Sequence, residues 1–122
     1  MAKSSESSED YLETILILSK KLPVVRSIDI ANEMGFKKSS ISVAMKLLKE
    51  KNLITVTDPG YIYLTKEGTA IAQKIYERHN FLAEWLEGLG VPKDIALSDA
   101  CRIEHVISEE SFEAIKKLGL SH

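Results

Sequence analysis

The sequence lacks the features of a secreted protein, a membrane protein or a familiar enzyme. Its 122 residues include a single cysteine, which excludes an internal disulfide and indicates a reducing cytosol. No run of about 18 apolar residues could span a membrane, and residues 1–8 have no apolar core like that of a signal peptide. There is no Gly-rich phosphate loop, nucleophile elbow or His-Glu-x-x-His run. We therefore expect a cytoplasmic protein that is neither membrane-bound nor an enzyme.

The charges are distributed unevenly along the chain, although the net charge is only −2. Residues 20–66 contain nine Lys or Arg against four Asp or Glu, which gives +5. Residues 1–19 contain one against four, and residues 67–122 contain six against ten, so these segments carry −3 and −4. A locally positive face matters more for contact with phosphate groups than the overall balance. The basic central segment is therefore a candidate for binding nucleic acid.

Three helices are predicted in the first half of the chain. Ser8 is a hydroxyl cap followed by two acids, so we expect the first helix to begin there, after a short flexible tail, and to end before the first proline. A second helix is predicted over 26–35, with Ser27 as its cap and Gly35 as its stop. A third is predicted over 39–52, where apolar residues recur at the i, i+3, i+4 and i+7 positions of one face.

The period of the pattern changes after the third helix. Alternating β-rich segments at 55–57 and 61–64 flank an Asp-Pro-Gly turn, which predicts a β-hairpin. Further helices are predicted over 65–89, 93–107 and 109–118. Thr65 is expected to cap the first of them, with Gly68 where a capping box would have glutamate, and Ser108 is expected to cap the last. The predicted fold class is mostly α with a small β-hairpin, with a winged helix-turn-helix domain over 1–66 and a helical domain over 67–122.

The third predicted helix has the composition of a helix that enters the major groove of DNA. Its N-terminal part carries lysines and small hydroxyl side chains, and Val43 offers an apolar contact for a thymine methyl group. The hairpin would lie along the phosphate backbone. The same fold also serves protein contacts, and lysines alone could form a solvated surface. The candidate DNA-binding residues are Arg26, Ser27, Lys37, Lys38, Ser39, Ser40, Ser42, Val43, Lys46, Lys49 and Tyr61.

Cys101, Glu104 and His105 form a second informative pattern. Their i, i+3 and i+4 spacing places a thiolate, a carboxylate and an imidazole on one face of a helix, and all three groups bind transition metals. Asp10 and Glu13 share a helix face in the same way. Two alternatives stay open for these residues. The first group could be a buried thiol beside a solvated pair, and the second could be first-turn acids that interact with the helix dipole.

Four segments together resemble the diphtheria toxin repressor and manganese transport regulator family. They are residues 8–15 (Ser-Glu-Asp-Tyr-Leu-Glu-Thr-Ile), 28–31, the Arg-His pair at 78–79 and, most specific, 100–108 (Ala-Cys-Arg-Ile-Glu-His-Val-Ile-Ser). The resemblance implies a homodimeric, metal-activated transcriptional repressor with an N-terminal winged helix and a helical metal-binding and dimerisation domain. This chain would be the short form of the family, without the SH3-like domain of many iron-branch members.

The resemblance also implies a set of metal ligands. They are Asp10, Glu13, His79, Cys101, Glu104 and His105. Asp10 matches the manganese branch and Cys101 the iron branch, so we expect Fe(II) or Mn(II) as the cofactor, with one or two ions per subunit. Ala83 and Leu97 replace two ligands of the iron branch's ancillary site, which is therefore not expected here. A second ion could instead lie among Glu13, His79 and Glu104, as in the manganese branch.

These observations predict a repressor that binds palindromic operator DNA as a homodimer when Fe(II) or Mn(II) is bound, and so controls metal-ion homeostasis. Its partners would be double-stranded operator DNA and a second copy of the chain. The helices after Thr65 support a dimer, because residues such as Ile75, Leu82 and Leu89 supply more apolar surface than a small helical unit buries. The main alternative is a metal-independent winged-helix regulator that responds to a small molecule, and a metallohydrolase is a more distant one.

Overall fold

The computed structural model describes residues 3–120 and has six helices and one β-hairpin within them. The elements are α1 (Lys3–Lys21), α2 (Ser27–Met34), α3 (Lys38–Glu50), β1 (Ile54–Val56), β2 (Ile62–Leu64), α4 (Lys66–Gly88), α5 (Lys93–Val106) and α6 (Glu109–Leu120). The predicted fold class, mostly α with a small hairpin, is confirmed. None of these helices is long and apolar enough to cross a membrane.

The chain divides into two compact units, and the division falls within α4. Residues 1–73 form the N-terminal unit and residues 74–122 the C-terminal unit. In the N-terminal unit, one apolar face of each of the first three helices packs into a common core with the hairpin, as a 3.6-residue period requires. The buried side chains include Leu12, Ile15, Ile30, Ile41, Leu48, Ile54 and Ile62. Burial of this apolar surface is the main favourable contribution to the stability of the unit.

α1 begins earlier than the sequence predicted. The helix starts at Lys3, whereas the prediction placed a flexible tail before a cap at Ser8. Residues 3–8 contain no proline or glycine, so nothing interrupts a helix that extends backwards from the buried turn at Leu12. The predicted cap is therefore wrong. Residues 1–2, the first part of the predicted tail, lie outside the described residues.

The start of α2 is closed by Arg26 and Asp29 instead of by Ser27. The Asp29 carboxylate accepts a hydrogen bond of 2.9 Å from the backbone N–H of Arg26, so Arg26 is the N-cap and Ser27 is the first helical residue. The predicted stop is confirmed. Gly35 has φ 71°, a left-handed conformation that glycine adopts at little cost, and its N–H donates to the Ala31 carbonyl. α2 and α3 thus form the predicted helix-turn-helix.

β1 and β2 form the predicted antiparallel hairpin. The central pair, Thr55 and Tyr63, faces solvent, whereas the flanking residues of both strands are buried or half-buried. The backbone N–H of Ile62 donates to the Val25 carbonyl at 2.8 Å, which ties β2 to the segment before α2. Gly60 at the tip has φ 88°, so the predicted turn needs its glycine. The hairpin is therefore anchored at its base and turns tightly at its tip.

Thr65 fixes the start of α4 against the residues that follow α3. As predicted, it caps the helix: its Oγ1 accepts a hydrogen bond of 3.1 Å from the Gly68 N–H and donates one of 2.8 Å to the Asn52 carbonyl. Its backbone N–H donates to the Leu53 carbonyl. A methyl group built at Gly68 would overlap that same carbonyl oxygen. Packing therefore requires a glycine where a capping box would have glutamate.

The C-terminal unit packs the later turns of α4 against α5 and α6. Its buried cluster comprises Leu82, Ala83, Ala100 and Phe112. The rings of Phe81 and Phe112 meet edge to face, with their centroids 5.7 Å apart. Ser108 caps α6 as predicted, because its Oγ accepts a hydrogen bond of 3.0 Å from the Ser111 N–H. The corner between α5 and α6 is thereby fixed next to the candidate metal ligands of α5.

Candidate DNA-binding surface and metal centre

α3 presents its predicted DNA-reading side chains to solvent. Ile41, Met45 and Leu48 are buried on its inner face. The outer face also carries two exposed apolar side chains, Val43 and Leu47. Val43 is 63% exposed and thus free to touch a base methyl group. The predicted residues exposed on this face and in the turn before it are Lys37, Lys38, Ser39, Ser40, Ser42, Val43, Lys46 and Lys49. The predicted register of the helix therefore places all of these side chains where a ligand can reach them.

A second group of predicted residues surrounds the tip of the hairpin. Arg26, Ser27 and Lys38 line one hollow together with residues 59–60. The exposed Arg26 guanidinium lies 5.0 Å above the centre of the Tyr61 ring and donates a hydrogen bond of 3.3 Å to its hydroxyl. This contact restrains the arginine and leaves its charge accessible, as binding to a phosphate group requires.

Ser27 connects the two groups into one surface. It also lines a neighbouring hollow with Ser42, Lys46 and Lys49 of α3. The predicted residues of α2, α3 and the hairpin therefore lie side by side on the N-terminal unit. We call this set the basic surface; it comprises Arg26, Ser27, Lys37, Lys38, Ser39, Ser40, Ser42, Val43, Lys46, Lys49 and Tyr61.

Three of the predicted metal ligands converge within the C-terminal unit. Glu104 and His105 are neighbours on α5, and His79 lies on α4. Nδ1 of His79 is 3.4 Å from Oε2 of Glu104, and Nε2 of His105 is 3.5 Å from Oε1 of the same carboxylate. Each carboxylate oxygen thus faces one imidazole nitrogen. Ligand atoms around a tetrahedral ion with bonds of ~2.1 Å are also about 3.4 Å apart.

The burial of Glu104 fits a bound cation. Its side chain is 0% exposed, and neither carboxylate oxygen accepts a hydrogen bond from a described residue. A buried carboxylate in this condition is costly and is normally compensated by a nearby positive charge. His79 and His105 can supply neutral nitrogen ligands, which suit transition metals. The donor set in this unit therefore fits a divalent transition metal.

The other predicted ligands occupy the positions that the sequence indicated. Asp10 and Glu13 lie one turn apart on α1; Asp10 is half-buried and Glu13 is 9% exposed. Cys101 lies one turn before Glu104 on α5, and its side chain is exposed. The alternative of a buried, purely apolar thiol therefore does not hold for Cys101. The roles of these three residues as ligands stay predictions.

The sequence patterns predicted no role for Arg78, although it immediately precedes His79. The structure shows it buried, at 7% exposure, with Nη1 donating hydrogen bonds of 3.2 Å and 3.1 Å to the carbonyls of Glu104 and Ile107. Its guanidinium carbon also lies 5.3 Å from the centre of the Phe112 ring. The available signal was the Arg-His pair itself, a charged residue beside a candidate ligand.

Two protein-family models match the chain. The model described as iron dependent repressor, N-terminal DNA binding domain, matches residues 3–59. The model described as iron dependent repressor, metal binding and dimerisation domain, matches residues 65–119. The first contains α3 and most of the basic surface, and the second contains His79, Glu104 and His105.

Named relatives span most of the chain. The transcriptional regulator MntR of Escherichia coli O6:H1 (strain CFT073) is 32% identical over 121 residues, which are 99% of this chain and 78% of that protein. The HTH-type transcriptional regulator MntR of Bacillus subtilis (strain 168) is 32% identical over 116 residues, 94% of this chain and 81% of that protein. The solved structure of the manganese regulator SloR superposes with a TM-score of 0.80 at 27% identity. That match covers 91% of this chain and 52% of the SloR chain, so the chain spans about half of that relative's length.

A winged helix in the same chain as a buried carboxylate that faces two imidazoles is the arrangement of a metal-responsive DNA-binding regulator. The matched domains and relatives then settle the family. The chain belongs to the iron-dependent repressor family, which is the diphtheria toxin repressor and manganese transport regulator family that its sequence resembles. It is therefore a metal-dependent transcriptional repressor, and membership favours this function over the small-molecule sensor considered as the alternative.

Proposed function

We propose that this chain represses transcription by binding a palindromic operator as a homodimer when Fe(II) or Mn(II) occupies its metal centre. The observation that carries the proposal is Glu104, a fully buried carboxylate that faces two histidine nitrogens and accepts no hydrogen bond from a described residue. A divalent cation compensates such a charge, and each carboxylate oxygen can share an ion with the imidazole that it faces. Repression at high metal concentration would control metal-ion homeostasis.

We assign six ligands to the metal centre, namely Asp10, Glu13, His79, Cys101, Glu104 and His105. The mutual distances around Glu104 support His79, Glu104 and His105, and donor chemistry and the family support the other three. Asp10 and Glu13 add hard oxygen atoms that suit manganese, whereas the Cys101 thiolate is a softer ligand that raises affinity for iron. Six ligands suffice for one or two ions per subunit.

Metal binding and DNA binding are coupled in this proposal because the ligands come from both units. Asp10 and Glu13 belong to the N-terminal unit and the other four ligands to the C-terminal unit. An ion that takes ligands from both sets stabilises one arrangement of the chain and so increases its population. The operator requires one arrangement too, because its half-sites present major grooves about 34 Å apart to the two subunits.

The basic surface divides into residues that read bases and residues that bind phosphates. Ser39 and Val43, near the N-terminal end of α3, are assigned to base edges. Lys46 and Lys49 are assigned to phosphate groups, which position the protein without reading the sequence. Arg26, beside Tyr61 of the hairpin, is assigned to the backbone as well. We propose no catalytic activity, and we place the protein with the DNA it binds, in the cytoplasm.

The second copy packs, in our proposal, on apolar surface of the C-terminal unit. Ile75 and Leu82, which the sequence offered for this contact, are buried inside the unit, whereas Leu89 is 66% exposed. Among the side chains of this unit that the structure describes, the large exposed apolar ones are Leu89, Ile95, Leu97, Val106 and Leu118. Sedimentation velocity at micromolar concentration should show a dimer with or without metal. A monomer in the presence of metal would contradict the homodimer.

The decisive experiment is DNA selection followed by a metal titration. The full chain with Mn(II) selects duplexes from a random pool, and a parallel selection is made in chelator. The affinity for the selected duplex is then measured with Mn(II), with Fe(II) under anaerobic conditions, and with chelator. We expect tight binding with either metal, weak binding in chelator, and no common sequence from the second selection. Equal affinity with and without chelator would favour a metal-independent regulator.

A further inference from the structure

We infer that Arg78 is a positioning residue of the metal centre, which holds the last turn of α5 against α4 so that Glu104 and His105 meet His79. This role rests on the proposed metal centre. Arg78 adjoins His79 on α4, and its Nη1 donates a 3.2 Å hydrogen bond to the backbone carbonyl of Glu104 itself. One side chain therefore links the backbone positions of candidate ligands on two helices.

The contacts of Arg78 indicate that its charge holds neighbouring backbone groups in place. Arg78 is 7% exposed, and its guanidinium contacts two backbone carbonyls and the face of the Phe112 ring. Among the described residues, no carboxylate forms an ion pair with it. A buried cation without a carboxylate partner is costly unless directed hydrogen bonds compensate it. The two bonds from Nη1 to carbonyls and the aromatic face supply this compensation, while Nε has no hydrogen-bond partner among the described residues.

Both carbonyls belong to the C-terminal end of α5. The last four carbonyls of a helix have no partner within the helix and carry partial negative charge. α5 ends at Val106, and Ile107 follows as its C-cap, so Arg78 caps this helix from its neighbour. Loss of the cap would let the last turn fray, and that turn carries Glu104 and His105.

Two effects of Arg78 on a bound ion oppose each other. Its positive charge repels a cation nearby and would weaken metal binding. Its hydrogen bonds hold the ligands in place beforehand and would strengthen metal binding. We infer that the second effect dominates, because Nη1 points at backbone carbonyl dipoles, while each Glu104 oxygen faces an imidazole. The sign of the change on mutation therefore separates positioning from simple electrostatics.

The test titrates Co(II) into the full chain and follows its visible absorption bands, which report the ligand geometry. Arg78→Met should lower the Co(II) affinity by about 10- to 100-fold and change the band shape. Arg78→Lys keeps the charge and can donate to a carbonyl, so its affinity should lie between those of Arg78→Met and the wild type. Leu82→Val is the packing control: it should lower the melting temperature while leaving the affinity and the spectrum unchanged.

Each outcome decides a separate point. Unchanged or tighter Co(II) binding by Arg78→Met would overturn the positioning role while leaving the metal centre intact. Failure of the wild-type chain to bind Co(II) would overturn the proposed metal centre, and the role of Arg78 with it. If Arg78→Met does not fold, Arg78→Lys decides: weaker binding than Leu82→Val supports the role, and wild-type affinity overturns it.

Discussion

The two units handle charge in opposite ways. In the N-terminal unit the cations of the basic surface, such as Lys46 and Arg26, are exposed. In the C-terminal unit the charges at the candidate metal centre, Glu104 and Arg78, are buried. Exposed cations exchange counterions readily, which suits reversible contact with phosphates, whereas buried charges need fixed partners and so impose a geometry. Among the acids of the N-terminal unit whose side chains the structure describes, Glu13 is the buried one, and it belongs to the proposed ligand set.

The largest effect should come from the buried carboxylate. Glu104→Gln keeps the shape of the side chain but removes the charge that faces both histidines, so metal binding should weaken by at least about 100-fold. Isothermal titration with Mn(II) and the metal-induced rise in melting temperature measure this loss. Glu84→Gln, an exposed glutamate on α4, is the matched control and should bind Mn(II) like the wild type. Equal Mn(II) affinities for the two variants would show that the buried carboxylate contributes no more to metal binding than an exposed one.

The next largest effect, this time on stability, should come from a substitution that disturbs backbone packing in the N-terminal unit. Gly68→Ala forces a methyl group into the Leu53 carbonyl, so the free energy of unfolding should fall by about 1–3 kcal/mol. Gly88→Ala, at the end of the same helix, meets no atom within 4 Å and should raise stability by up to about 1 kcal/mol. Urea denaturation measures both. Similar changes for the two variants would place the start of α4 differently from the structure.

Charge removal on the basic surface should have small effects that depend on position. Lys46→Ala and Lys49→Ala should weaken all duplexes about equally. Each should reduce the slope of log affinity against log salt by ~0.9 per subunit, or ~1.8 for the homodimer. Ser39→Ala and Val43→Ala should instead change which operator bases are preferred, by about 1 kcal/mol per position. Competition binding against a library of operator variants separates the two outcomes. A uniform loss for all four variants would mean that α3 enters the groove in another register.

A smaller effect is expected at the exposed end of the ligand set. Cys101→Glu replaces a soft ligand with a hard one, so the ratio of activation midpoints should shift towards manganese over iron. DNA binding is titrated with Mn(II), and anaerobically with Fe(II), for the wild type and the variant. Arg102→Lys, also exposed on α5, is the control and should keep the wild-type ratio. An unchanged ratio for Cys101→Glu would remove the thiol from the ligand set.

The smallest effect should come from the ion pair of Lys116 and Glu77 at the surface of the C-terminal unit. A hydrogen bond of 3.0 Å to Glu77, together with the charge of that carboxylate, raises the pKa of Lys116 above its usual 10.5. A lysine pKa that is raised by folding stabilises the fold below its unfolded value, and the effect disappears as pH rises through the folded value. Glu77→Gln should therefore lower the melting temperature slightly at pH 7. The difference from the control Glu87→Gln should disappear above the raised pKa.

Most of the fold was predictable because it depends on local signals. Gly35, the Asp-Pro-Gly turn and Ser108 each specify a turn or a cap within a few residues, and the structure confirms all three. The start of α1 was not predictable, because the cap signal at Ser8 competes with continuation of the helix towards the N-terminus. The prediction for the cap of α2 was also wrong. The carboxylate of Asp29, three residues after Arg26, closes the start of the helix as well as the hydroxyl of Ser27 would.

The candidate site was predictable in its residue types and less so in its geometry. The spacing of Glu104 and His105 places them together, but nothing in the periodicity brings His79 to them; the resemblance to a family did. Arg78 could not be assigned, because its acceptors are backbone carbonyls, which every residue has. The predicted functional boundary between residues 66 and 67 stays a prediction, while the compact units divide between residues 73 and 74.

The anchoring of the hairpin determines where its length can change. Its base is held on both sides, by the bond from Ile62 to Val25 and by the bond from Thr65 to Leu53. Asp58 at the tip is exposed, and extra residues beside it would leave those bonds and the core unaltered. Each inserted pair that continued the ladder would lengthen the hairpin by about 3.4 Å. The tip is thus the position where insertions can extend the reach of this protein along a duplex.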